Sequence, residues 1–116
     1  MTKILICGSR YWTAIPPIFN IIANLPPESI VIQGCARGAD TIAGEIAESK
    51  PGIIVKKFPA KWDELGKRAG YVRNIEMLDQ NPDIVYAFPI GESKGTWHTI
   101  REARKRGIET IVYGEK

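Results

Sequence analysis

Five short apolar runs recur along the chain: 3–7 (KILIC), 30–32 (IVI), 53–55 (IIV), 84–88 (IVYAF) and 110–113 (TIVY). They are rich in β-branched residues and lack the alternating polar positions of a strand with one wet face. Such runs fit strands covered on both faces, the condition of a parallel sheet. Parallel neighbours need crossovers of a dozen or more residues, and the intervals carry helical signals. Ile15, Ile18, Phe19 and Ile22 repeat at i, i+3, i+4, i+7, with Pro16 and Pro17 suited to a first turn. Ile42 and Ile46 among alanines mark a helix over 40–49. A third spans 64–79 with a break near Gly70, and a fourth spans 95–106 and stops at Gly107, a natural residue just past a helix end. The order β-α-β-α-β-α-β-α-β with right-handed crossovers predicts an α/β, Rossmann-like three-layer sandwich: about five parallel strands with helices on both faces.

The 116 residues suit one domain, 1–116, and 44% hydrophobic with 25% charged residues is enough for one core. Sixteen basic against 13 acidic side chains leave a net charge of +3. That excess is too small for tracking along nucleic acid, which needs a concentrated basic face, but it accommodates one small anionic ligand. Cys7 and Cys35 have no metal-ligand spacing, and the lone histidine, His98, has no partner in the sequence, so neither a metal site nor a cofactor is expected. No run has the apolar length of a signal peptide or a membrane span; a reduced, cytoplasmic protein without a membrane partner is expected.

In doubly wound sheets ligands sit beyond the carboxyl ends of the strands, where the strand order reverses. Three loops there hold the candidate ligand-binding residues: Gly8, Ser9 and Arg10; Gly34, Cys35, Ala36, Arg37, Gly38 and Asp40; and Pro89, Gly91, Ser93, Lys94, Gly95 and Thr96. Glycines let backbone N–H groups approach a phosphate, and a helix N-terminus adds partial positive charge. Gly34 and Gly38 before one helix and Gly91 and Gly95 before another would frame an anion from two sides. Ser9, Ser93 and Thr96 add hydroxyls, and Arg10 and Arg37 add guanidinium forks. The alternative is three tight turns with their arginines in water. Neither a dinucleotide fingerprint nor a Walker lysine motif is present. Asp40 suits a first helical turn, as a capping acid or as an acceptor for ribose hydroxyls. Trp62 either stacks on a base or covers the edge of the core.

The stretches "GCARGAD", "FPAKWDELGKRAGYVRNIEML", "NPDIVYAFP" and "SKGTWHTIREARKRGI" resemble the YspA-type branch of the SLOG superfamily, over nearly the whole chain from Ile4 to about Val112. That superfamily also contains the LOG phosphoribohydrolases and DprA-like proteins. The resemblance implies a Rossmann-like sheet that binds nucleotides or nucleotide-derived molecules such as ADP-ribose. LOG enzymes cut the N-glycosidic bond of nucleoside monophosphates with an Arg in M-x-x-R-K-x-x-M and a Glu in P-G-G-x-G-T-x-x-E. Arg73, followed by Asn74 and Met77, matches the first pattern, and Gly95 with Thr96 matches the Gly-Thr of the second. The glutamate position holds Thr99, and the second glycine of an expected Gly-Gly pair is Cys35. Threonine brings no charge to a ribose. Glu102, one helical turn on, and Asp40 are the acids left to replace it.

Three functions follow. The first is a binding module for a nucleotide-derived ligand, ADP-ribose- or NAD-related or a cyclic or linear nucleotide. It would act as a sensor or as a sequestering protein of the kind a phage-encoded sponge represents. The second is a LOG-like N-glycosidase with Arg73 and either Asp40 or Glu102 in catalysis. The third is a DprA-like binder of single-stranded DNA, which the modest charge argues against. A homodimer or higher homo-oligomer is expected from Trp97 near a helix start and from the pairing of LOG-like relatives.

Overall fold

The computed structural model describes residues 2–113. It contains β1 (Lys3–Gly8), α1 (Pro16–Ala23), β2 (Ile30–Gln33), α2 (Ala39–Ser49), β3 (Ile54–Lys57), α3 (Trp62–Leu65), a 3₁₀ turn (Gly66–Arg68), α4 (Ala69–Leu78), β4 (Ile84–Phe88), α5 (Lys94–Lys105) and β5 (Glu109–Val112). The five strands form one all-parallel sheet in the order β3-β2-β1-β4-β5. Register is set at the centre, where Ile4 pairs with Val31 on one side and Ile84 on the other.

The period-2 alternation of a strand divides the core into two layers. Ile4, Ile6, Val31 and Phe88 face Ile18 and Ile22 of α1 and Ala39, Ala43 and Ala47 of α2. Leu5, Cys7, Ile32, Val85 and Ala87 face Met77 and Leu78 of α4 and Ile100 and Ala103 of α5. The small residues of α2 let that helix lie close to the sheet. Each large aliphatic side chain so buried contributes roughly 1.5–3 kcal/mol.

Three expectations need correcting. The runs at β3 and β5 are not buried on both faces: these strands are the sheet edges, and Ile54, Lys56 and Lys57 are exposed. Lysines on an edge also discourage pairing with another chain. In α1 only Ile18 and Ile22 of the apolar stripe are buried, while Ile15 and Phe19 face outward. The third helix breaks at Gly66–Arg68, not at Gly70. Gly66 takes φ +62, a left-handed conformation that favours glycine, whereas Gly70 continues α4.

The end of α5 follows the sequence. Gly107 adopts φ +73, its N–H donates to the Arg104 carbonyl, and the Ile108 N–H donates to the Ala103 carbonyl, both at 3.0 Å. This is the Schellman pattern. No helix among the described residues is long and apolar enough to cross a membrane.

Candidate functional site

The strand order reverses between β1 and β4, and a cavity of about 470 Å³ opens over their carboxyl ends. Its size is in the range of small-molecule sites. Cys7, Gly8, Ser9, Arg10 and Tyr11 line one wall, and Ala36 and Asp40 another. Arg73, Asn74 and Met77 of α4 line a third, and Ile90, Glu92, Ser93, Lys94, Gly95, Thr96 and Thr99 complete it.

The last of these walls ends in the uncapped first turn of α5. Ser93 precedes α5, but its hydroxyl is turned away from the helix: it donates to the Ile90 carbonyl at 2.7 Å and accepts from the Ile90 N–H at 3.0 Å. No side chain caps α5. The N–H groups of Lys94, Gly95 and Thr96 therefore stand at the positive end of the helix dipole without an intrahelical acceptor. Lys94 and Arg10 bring charge to the same cavity, and Ser9 is fixed across it by donating its N–H to the Phe88 carbonyl at 2.9 Å.

The opposite wall is organised around Asp40, the second residue of α2, only 4% exposed. Its Oδ2 accepts the N–H groups of Gly34 at 3.1 Å and Ala36 at 3.4 Å, drawing the loop after β2 into a tight hook. Its Oδ1 is buried and has no partner. Burial pushes the Asp40 pKa up to about 7, against the opposing pull of Arg73 and the two amides. Arg73 makes no direct ion pair with it; its Nη1 donates to the Gly34 carbonyl at 2.6 Å and its Nε to Asn74 Oδ1 at 3.0 Å. Asn74 Nδ2 then reaches the Gly95 carbonyl at 3.1 Å. The chain Gly34–Arg73–Asn74–Gly95 ties the end of β2 to the start of α5 beneath the cavity.

This arrangement revises the use of two glycines. A Cβ on Gly34 would lie 2.7 Å from Arg73 Nη1 and 2.9 Å from Asp40 Oδ2, so the space it leaves is filled by those side chains. A Cβ on Gly38, at φ +75, would collide with the Ser9 carbonyl and the backbone of Arg10. Both glycines serve close packing between loops. At the start of α2 the Ala39 N–H donates to the Ser9 carbonyl at 3.4 Å. Of the two glycine pairs expected to frame a phosphate, Gly34 and Gly38 are packed against the protein, while Gly91 and Gly95 have no protein atom closer than 4.0 Å to a Cβ placed on them.

The cavity thus gathers Gly8, Ser9, Arg10, Ala36, Asp40, Arg73, Asn74, Ser93, Lys94, Gly95 and Thr96. Gly34, Cys35, Arg37, Gly38, Pro89 and Gly91 lie in the same loops without lining it. Arg37 and Cys35 are exposed, and Cys35 sits at φ +62, the conformation a glycine in its place would favour. Trp62 is 57% exposed and rests its ring edge 3.3 Å from the Cβ position of Gly70, outside the cavity. Glu102 is directed elsewhere, 3.2 Å from Lys105 Nζ. Thr99, at the glutamate position of the LOG pattern, lines the cavity with its hydroxyl donated to the Gly95 carbonyl at 3.2 Å.

Cys7, Tyr11, Met77, Ile90 and Glu92 also line it, although the loop motifs do not mark them. Cys7 had a signal in its position near the end of β1; Met77 follows Arg73 at i+4, one turn along the same helix face. Burial, with the neighbouring Asp40 charge, holds the Cys7 thiol far above its ordinary range, so it is a neutral wall residue. Trp97 packs against the α4/α5 core of its own chain. Among the described residues no group of three or more His, Cys, Asp or Glu side chains is placed to hold a metal ion.

No family model matches the chain. It is 39% identical to the Gene 61 protein of Mycobacterium phage D29, over the whole of this chain and 99% of that protein. Its fold is also similar to the X-ray structure of DNA processing protein A (DprA) from Streptococcus pneumoniae, with a TM-score of 0.53 and 17% identity, covering 96% of this chain. The chain spans 58% of the length of that DprA structure.

Proposed function

The chain belongs to the family of the phage D29 Gene 61 protein, and from that premise and the cavity we propose that it is a binding module. Its ligand is a phosphate-bearing, nucleotide-derived small molecule, held in the crevice between β1 and β4 without being cut. The observation that carries this reading is the uncapped first turn of α5, opening with Lys94, Arg10 and Ser9 onto a single cavity. We take the DprA-like fold as a sign of SLOG ancestry, with the YspA-type motifs pointing to the branch.

Retention without cleavage is favoured over glycosidase chemistry because the cavity lacks a free acid in the expected place. Thr99 stands there, Glu102 pairs outside, and one oxygen of Asp40 is committed to loop amides. As a stand-alone binder the protein would sense or sequester its ligand. Thermal-shift measurements against ADP-ribose, NAD, and cyclic and linear nucleotides test this: stabilisation by at least one is expected, and none by any would reject it. Release of free base from a nucleoside monophosphate, abolished in Arg73→Ala, would replace it with the glycosidase.

A DNA-binding role takes its support from the DprA likeness. It predicts steeply salt-dependent binding of single-stranded oligonucleotides. The described surface argues for the small ligand instead, because Lys94 and Arg10 gather around a cavity and Trp62 lies outside it.

A further inference from the structure

Resting on that binding role, we propose that Asp40 reads a sugar hydroxyl of the ligand, so that the pocket takes a ribosyl phosphate in preference to its deoxy counterparts. Asp40 lines the cavity, is almost wholly buried, and keeps one oxygen, Oδ1, buried with no partner in the protein. A buried polar atom left unpaired carries an uncompensated desolvation cost, so a ligand that satisfies it gains and one that cannot is rejected. Its other oxygen is anchored by the Gly34 and Ala36 amides, which fixes the direction of the free one.

The chemistry of the missing partner follows from what surrounds it. The other titratable groups lining the cavity are Cys7, Arg10, Tyr11, Arg73, Glu92 and Lys94. Three of these are cations, and together with the helix dipole they disfavour a ligand ammonium. A carboxyl that titrates near neutral pH offers either an O–H donor or an anionic acceptor. A ligand carbonyl serves only the first state and an amino group only the second. A hydroxyl serves both. With the open α5 amides taking a phosphate across the same cavity, the complementary ligand carries a phosphate and a hydroxylated sugar together.

The test is calorimetric titration of the full chain at neutral pH with AMP, 2′-deoxy-AMP and 3′-deoxy-AMP, and with inorganic phosphate as the minimal anion. At least one deoxy ligand is expected to bind tenfold or more weakly than AMP, and Asp40→Ala is expected to bring that ratio to within threefold of unity. If the alanine variant shows no cooperative thermal transition, Asp40→Asn serves, because its carbonyl can keep the loop amides while the acceptor form is lost; the ratio is again expected to shrink. Equal affinity for all three nucleotides, an unchanged ratio in the Asp40 variants, or phosphate binding with no AMP binding would overturn the hydroxyl assignment and leave the anion site standing. Failure of phosphate and all three nucleotides to bind would also overturn the hydroxyl assignment, and would overturn the binding role itself if ADP-ribose, NAD and the cyclic nucleotides likewise give no thermal stabilisation.

Discussion

Ahead of α2, the glycines leave room for the protein itself: Arg73 and Asp40 occupy the space beside Gly34, and the β1–α1 loop occupies that beside Gly38. Around the start of α5, nothing lies within 4 Å of a Cβ placed on Gly91, and only Asn74 Nδ2, at 4.0 Å, approaches one on Gly95 in the first turn. The same residue type at the same kind of strand-to-helix turn thus builds a scaffold on one side of the switch point and leaves an opening on the other. Asp40 belongs to both sides of this contrast, since one of its oxygens holds the scaffold while the other is buried without a partner in a residue that lines the cavity.

Substitutions can break or sharpen that contrast. Gly38→Ala is expected to cost about 5 kcal/mol, from a left-handed φ combined with a collision against backbone. Gly95→Ala should stay within about 0.5 kcal/mol of wild type, since alanine favours the helix and finds open space. Denaturant unfolding measures both, and similar costs would erase the distinction.

Asp40 gives the next largest effect. Its folded pKa, about 7, lies above its ordinary 3.8, so the folded state binds more protons than the unfolded state between these values. Stability therefore falls as pH rises from about 4 to about 7, by about 4 kcal/mol. Asp40→Asn removes this slope, and parallel pH profiles for the two proteins would show that the carboxyl is not so buried.

On the open side, Lys94→Ala should weaken AMP binding about fivefold at low ionic strength and less at high salt, with stability unchanged; calorimetry at two salt concentrations reads this. The smallest effect is expected at Cys35. Its φ of +62 costs a side chain about 1 kcal/mol, so Cys35→Gly should be stabilising by a little less than that, glycine also gaining freedom when unfolded. A loss in thermal unfolding would show that the thiol makes up for the strain.

Much of the fold was legible because buried parallel strands and a Gly-terminated helix leave local marks: the five apolar runs and Gly107 sit in the elements they indicate or at their ends. Edge position left none. Whether a run such as IIV ends in the centre or at the rim depends on which way the crossovers turn, and that is not encoded in three residues. The break at Gly66 instead of Gly70 has a similar origin. A helical glycine can supply a positive φ or clearance for a neighbour, and only the Trp62 ring lying over Gly70 distinguishes the two.

Within the site, the convergence of three loops at β1 and β4 followed from topology. The filling of Gly34 by Arg73, 39 residues on, did not, because nothing local announces a long-range hydrogen bond. Glu102 illustrates the reverse error: one helical turn separates it from Thr99, and that turn carries it from the cavity to a partnership with Lys105.

The cavity draws its walls from residues 7–11, 36–40, 73–77 and 90–99, and the Arg73–Asn74 relay stitches Gly34, just ahead of the second of these stretches, to the last. None of these four stretches alone carries half of the enclosure, which comes into being only when β4 slots in beside β1. A molecule lodged there bolts together the most distant parts of the polypeptide. Occupancy should therefore register as whole-molecule resistance to proteases, not as the stiffening of a single loop.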